Sequence, residues 1–158
     1  MSRNYRQLRV FQQVRQLTLA IYKNTTDFPR DEWFGMRLQI RRAAVSIGSN
    51  IVEGSARKTT RDYCNFLGIA LGSASELSYL LEFARDLGFV RAPIADSLCD
   101  ESASVVRQLQ RLFDETELLR HQEEAQARRS ESAESGPKAE DRRPGDDAAG
   151  RSPKADTR

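Results

Sequence analysis

Arg57, Lys58 and Arg61 crowd five residues of chain just ahead of a helix start, and Arg37 and Arg41 stand four apart on the preceding helical segment. Guanidinium and ammonium groups grouped in this way suit phosphate oxygens, and the N-terminus of a helix adds its own attraction for an anion. Two readings of these cations stay open: they hold phosphates, or they pair with carboxylates across the fold or between subunits. Arg42 is assigned to a structural pairing. Glu53 and Glu76 have the side chains of a general acid/base pair, yet no nucleophile, metal set or helper histidine accompanies them. They are placed instead in a polar network, with Glu76 a partner for Arg42 or for the Asn50 amide. The chain is read as non-enzymatic, with no cofactor and no small-molecule substrate.

Other chemistry is thin. The single histidine, His121, does not supply a metal cluster and sits where a cation favours a helix end. Cys64 and Cys99 form no C-x-x-C, which excludes zinc-knuckle and dithiol motifs. No phosphate-cradling glycine loop, dinucleotide fingerprint or nucleophile elbow is present. No apolar run of membrane-spanning length and no signal-peptide core occurs, so the expectation is a cytoplasmic protein with no membrane partner.

The elements that position these residues read as helices. The chain has 158 residues and a net charge of +2. All aromatics lie between Tyr5 and Phe113, and beyond His121 alanine is the sole apolar side chain. Residues 1–121 are therefore expected to fold and residues 122–158 to form a disordered charged tail, helical at most to about Arg129. Apolar residues recur at i, i+3, i+4 spacing over about Gln7–Thr25, about Asp31–Ala56, a third segment from the capping-box-like Thr59-Thr60-Arg61-Asp62 to Asp86-Leu87-Gly88 with glycine as the C-cap, and a fourth that opens after Pro93 and runs to about His121, with no alternating strand pattern. Short connections between long helices predict an all-α, antiparallel up-down-up-down four-helix bundle. Charge is segregated along it: residues 1–61 carry 12 Lys+Arg against 4 Asp+Glu, and residues 62–121 carry 5 against 10. A front half at +8 and a second half at −5 invite either a polyanion or a second copy of the chain.

The second helix carries three stripes. Met36, Ile40, Ala44, Ile47 and Ile51 form a core face. Gln39, Arg42, Ser46, Asn50 and Glu53 form a polar stripe, joined by Glu76 from the third helix. Phe34, Leu38, Val45 and Val52 lie nearly opposite the core and are assigned to an oligomer interface, because a solitary bundle needs one apolar stripe per helix. The alternative is that this helix sits deep within its own bundle. Gly54, Gly68 and Gly72 are assigned to close helix packing. An interior helical glycine costs about 1 kcal/mol relative to alanine, and near approach of another helix compensates it.

The runs Gln39-Ile40-Arg41-Arg42-Ala43-Ala44-Val45-Ser46-Ile47, Asn50-Ile51-Val52-Glu53-Gly54 and Ala70-Leu71-Gly72-Ser73-Ala74-Ser75-Glu76-Leu77 resemble those of the bacterial four-helix-bundle family, also called the 23S rRNA-intervening-sequence proteins. The resemblance covers about residues 5–120. Where the family typically has Ser-Ile-Pro-x-Asn, this chain has Ser46-Ile47-Gly48-Ser49-Asn50. The resemblance implies a ring-like homopentamer. Some members are encoded within 23S rRNA genes, and others are related to the accessory variability determinant of diversity-generating retroelements, a basic barrel that binds nucleic acid and a reverse transcriptase. It supplies no catalytic residues. The expectation is an accessory protein that binds RNA or DNA through basic residues. The rival is a protein–protein scaffold whose charge asymmetry serves only self-assembly.

Overall fold

The structure is a computed structural model and describes residues 3–134. Within them the fold is all-α: four long helices and two single 3-10 turns, with no strand. Helix α1 spans Arg9–Asn24, α2 Met36–Ser55, α3 Thr60–Asp86 and α4 Ala92–Glu134. No helix is long and apolar enough to cross a membrane among the described residues. Helix α2 packs against α1 and α3, and α4 packs against α3 and α1, so each helix has two neighbours around one core. Leu17, Ile21, Ile40, Ile51, Leu77 and Leu109 fill that core and are almost wholly withdrawn from solvent.

Local chemistry accounts for the helix ends. Thr59 caps α3, its Oγ1 accepting from the Asp62 amide at 3.0 Å and donating to the Asp62 carboxylate at 2.7 Å. At the other end Gly88 takes a φ of +70°. Its amide donates to Arg85 O at 2.9 Å and the next amide reaches back to Ala84 O at 3.0 Å, closing the last turn. Helix α2 starts five residues later than the periodicity implied. Arg30–Glu32 form a 3-10 turn after Pro29, and the chain breaks at Gly35 before α2 begins. Asp31 and Glu32 are therefore outside its first turn, although Glu32 Oε2 still accepts from the Met36 amide at 3.0 Å. Phe34 consequently lies in the connection and not on an α2 stripe.

Helix α4 also differs from expectation. It continues past His121 to Glu134, so His121 lies well inside the helix and not at a C-terminal dipole. Glu123 Oε1 accepts from Thr60 Oγ1 at 3.0 Å, and that hydroxyl in turn accepts from Arg3 Nη2 at 3.0 Å, tying this extension to the start of α3. The remainder of the expected tail, residues 135–158, lies outside the described residues.

Candidate functional site

The polar stripe of α2 meets α3 at its centre. Ser46 and Ser73 hydroxyls share a hydrogen bond at 2.9 Å, and Asn50 Nδ2 donates to Ser46 O at 2.8 Å and to Ser46 Oγ at 3.1 Å. The Asn50 amide thus turns back on its own helix and does not reach Glu76. Ser73 is the member of this network that the sequence reading left out; its place beside Gly72 on α3 was the available signal. Gln39, Arg42, Ser46 and Glu76 line a small recess of about 160 Å³. Arg42 and Glu76 face that recess without forming an ion pair within 4.0 Å. Glu53 lines a different groove, on the α1 side, so the structure does not bring the two carboxylates together.

Each candidate cation has its own setting. Arg41 is committed internally: Nε donates to buried Thr25 Oγ1 at 2.9 Å, Nη2 donates to Tyr22 O at 3.1 Å, and the guanidinium lies 4.6 Å from the Tyr22 ring. Arg37 covers the Trp33 ring at 4.6 Å. Arg57 is paired with Glu53 one turn earlier and lies 4.6 Å from the Phe66 ring. Lys58 and Arg61 are exposed beside the α3 N-terminus and form no ion pair among the described residues. Among the described residues the loop cluster is therefore reduced to two cations without an ion pair, because Glu53 in the last turn of α2 takes Arg57 just beyond the end of that helix.

The ion pairs bear on the charge asymmetry. Among the described residues they are Arg57–Glu53, Arg85–Asp86, Arg85–Asp96 and Arg120–Glu117. Every one lies within the front half or within the second half. None joins the cationic half to the acidic one.

The candidate interface residues also separate. Val45 and Val52, with Leu19, Val14 and Phe11 of α1, line an apolar groove of about 520 Å³ between α1 and α2. Leu38 and Tyr22 continue it, whereas Phe34 stands apart at 87 % exposure. The three glycines differ sharply. A methyl group at Gly54 would lie 2.7 Å from Phe66 Cβ, one at Gly68 would lie 3.4 Å from the Phe113 ring, and one at Gly72 would meet nothing within 4 Å. Close packing inside the chain thus does not account for Gly72. That glycine belongs to an exposed face with Ile69, Tyr79 and Phe83, at three-, seven- and four-residue spacing, interrupted by Glu76. The Tyr79 and Phe83 rings stack with centroids 6.0 Å apart.

Burial raises the pKa of the Tyr63 phenol, with Arg3, 4.4 Å from its ring, and Ser55 acting in the opposite direction. Burial likewise pushes both thiols up, Arg120 opposing it at Cys64 and Arg85 opposing it at Cys99. Raised thiols are poor nucleophiles near neutrality. Among the described residues no group of three or more His, Cys, Asp or Glu is placed to hold a metal.

A solved structure described as a protein of unknown function from the S23 ribosomal protein family of Bacteroides thetaiotaomicron VPI-5482 is similar at 27 % identity and a TM-score of 0.59. The similarity covers 66 % of this chain and 97 % of that one. No curated protein matches. Residues 6–111 match the family model described as 23S rRNA-intervening sequence protein. Helix content, the α2 polar stripe and this match together place the chain: it belongs to the 23S rRNA-intervening sequence protein family.

Proposed function

We propose that this protein is a non-catalytic, self-associating helical bundle that serves as an accessory factor on RNA or DNA. The observation that carries the reading is the absence, among the described residues, of any ion pair between the +8 and −5 halves. The cationic surface is left for an external anion, and arginines repeated around an assembly would raise avidity without strong single contacts. Among the described residues Lys58 and Arg61 are the members of the loop cluster without an ion pair, and Arg37 is a separate cation at the opposite end of α2.

Self-association is supported by two separate apolar surfaces, the α1–α2 groove and the exposed α3 face, which lie on halves of opposite charge. Such a pair suits head-to-tail contact between copies, and a closed ring follows when the rotation between copies closes. Five copies is the number that the family resemblance implies. We also infer the up-down-up-down arrangement. Contacts along α1–α2 (Val14 with Gly48, Thr18 with Ala44), α2–α3 (Ser46 with Ser73, Gly54 with Phe66) and α3–α4 (Gly68 with Phe113, Ser78 with Ser102) run in opposite directions along each pair.

The test combines light scattering after size exclusion with filter retention of a structured RNA. The expected result is a multimer that retains RNA with affinity falling steeply as salt rises, and a Val45→Arg variant that dissociates and loses most retention. A multimer with no retention at about 50 mM salt, where phosphate contacts are strongest, overturns the nucleic-acid reading in favour of a protein scaffold. A wild-type monomer overturns self-association.

A further inference from the structure

Most arginines that the fold places near a partner are engaged: Arg41 on Thr25, Arg57 on Glu53, Arg85 on Asp86 and Arg120 on Glu117. Three others are collected around one recess with no such engagement. Arg9 of α1 and Arg107 and Arg111 of α4 line a cleft of about 620 Å³, floored by Gln13, Ser104 and Gln108. Among the described residues, none of these three guanidinium groups forms a hydrogen bond or an ion pair within the chain, and no acidic side chain lines the cleft. Asp114, one turn beyond Gln110 on α4, accepts the Gln110 amide at 2.8 Å.

The floor is organised to leave donors free. Gln108 Nε2 donates to Gln13 Oε1 and to Ser104 Oγ, the latter at 3.2 Å. That arrangement occupies the Gln108 amide protons and the Gln13 carbonyl. It leaves the Gln13 amide and the Ser104 hydroxyl proton facing a recess that already holds three five-donor guanidiniums. Arg107 and Arg111, four residues apart on one helix, repel each other, and Arg9 adds a third positive charge from across the cleft. A concave, acid-free, donor-rich surface of this kind is offset by an oxyanion. The arginines stand about 6 Å apart along α4, so they address more than one anionic group, as consecutive phosphates present them.

We propose that the α1–α4 cleft formed by Arg9, Gln13, Ser104, Arg107 and Arg111 is a phosphate-binding site. The phosphate source is a nucleic-acid backbone, and for that source alone the proposal rests on the nucleic-acid reading above. The site lies on a different helix pair from the Lys58–Arg61 loop and is absent from the sequence-derived candidates. The reason is simple: Arg9 stands nearly a hundred residues from Arg107, and only the packing of α1 on α4 brings them together.

The test uses the full chain in three forms: wild type, Arg107→Gln/Arg111→Gln, and Lys58→Gln/Arg61→Gln. Circular dichroism and light scattering establish that fold and assembly are unchanged, and an Arg107→Lys/Arg111→Lys variant that binds like wild type excludes a packing defect. Binding of a labelled 20-nucleotide RNA is followed by fluorescence anisotropy across a salt series, and binding of inorganic pyrophosphate by calorimetry. The expected result is a loss of at least tenfold in RNA affinity for Arg107→Gln/Arg111→Gln. Its log–log salt slope should also be shallower by about 2, one unit per lost phosphate contact. Unchanged RNA and pyrophosphate binding in that variant overturns the site while the nucleic-acid reading stands. Pyrophosphate binding that the same variant abolishes, with no RNA binding by wild type, keeps the site and removes nucleic acid as its source. Failure of wild type to bind either probe overturns both. Tighter binding of a poly-glutamate peptide than of either phosphate probe overturns the ligand assignment.

Discussion

Replacing Gly54 by alanine tests the α2–α3 seam at its tightest point. The new methyl carbon would stand 2.7 Å from Phe66 Cβ and 3.2 Å from Tyr63 Cδ2. Carbon pairs are most favourable at about 3.5–4.0 Å, so the seam must open by about 1 Å. Phe66 Cβ is fixed to the α3 backbone and has no rotamer that moves it away. Forcing a methyl group into a packed interface costs about 1–3 kcal/mol, and the rigidity of both helices places this site towards the upper end. Alanine recovers about 1 kcal/mol through helix propensity. The net loss is about 1–2 kcal/mol, or a fall in Tm of about 4–8 °C for a domain of this size.

Gly72→Ala supplies the control. It makes the same chemical change on α3, where the methyl group meets nothing within 4 Å, so the propensity gain of about 1 kcal/mol is unopposed within one protomer. Urea unfolding followed by circular dichroism should therefore shift the two midpoints in opposite directions. Measurement at two protein concentrations separates protomer stability from assembly, since association raises apparent stability by mass action. A Gly54→Ala protein as stable as wild type, or more so, would refute the close-packing account of that glycine.

Two further outcomes follow from the buried polar groups. Arg41→Ala removes the donor that satisfies Thr25 Oγ1, a group with no solvent exposure. It should lower unfolding free energy by about 1–3 kcal/mol, the cost of leaving such a group unpaired, while RNA retention changes less than twofold. A variant with full stability and tenfold weaker retention would restore Arg41 to the binding surface. The raised pKa values of Cys64, Cys99 and Tyr63 make the fold sensitive to alkali. In each case the folded state holds its proton more tightly than the unfolded chain. The contribution is therefore complete below the ordinary values of 9.0 for the thiols and 10.0 for the phenol, and is lost as pH rises through the folded ones. Thermal melts from pH 8 to 11 should show a falling Tm that flattens in a Tyr63→Phe/Cys64→Ala/Cys99→Ala variant; an identical fall there would refute the assignment.

Legibility in the sequence followed the range of the interaction. The core faces of α1, α2 and α3 were readable because burial repeats every three or four residues: Ile40, Ala44, Ile47 and Ile51 are buried, as are Leu67, Ala70, Ala74 and Leu77. The caps at Thr59 and Gly88 were readable because each acts within a few residues. The α2 start was misplaced because a proline-led 3-10 turn and a helix both tolerate Arg-Asp-Glu, and the break at Gly35 depends on the backbone leaving the helical region there. The α4 extension was underestimated because Glu123 gains its tie from Thr60, a residue distant in sequence. Arg41 read as a surface cation until Thr25 and Tyr22 were brought beneath it.

By itself, the sequence determined helix content, the faces of the first three helices, the family signature and the segregation of charge, all properties of residues close together along the chain. The tertiary structure decided which charges are neutralised. Among the described residues it forms no ion pair between the cationic and acidic halves, binds Arg41 and Arg57 internally and sets Arg9 opposite Arg107 and Arg111. Coulombic and hydrogen-bond energies depend on distance in space over a few ångströms, and helix packing alone converts separations of nearly a hundred residues into that range.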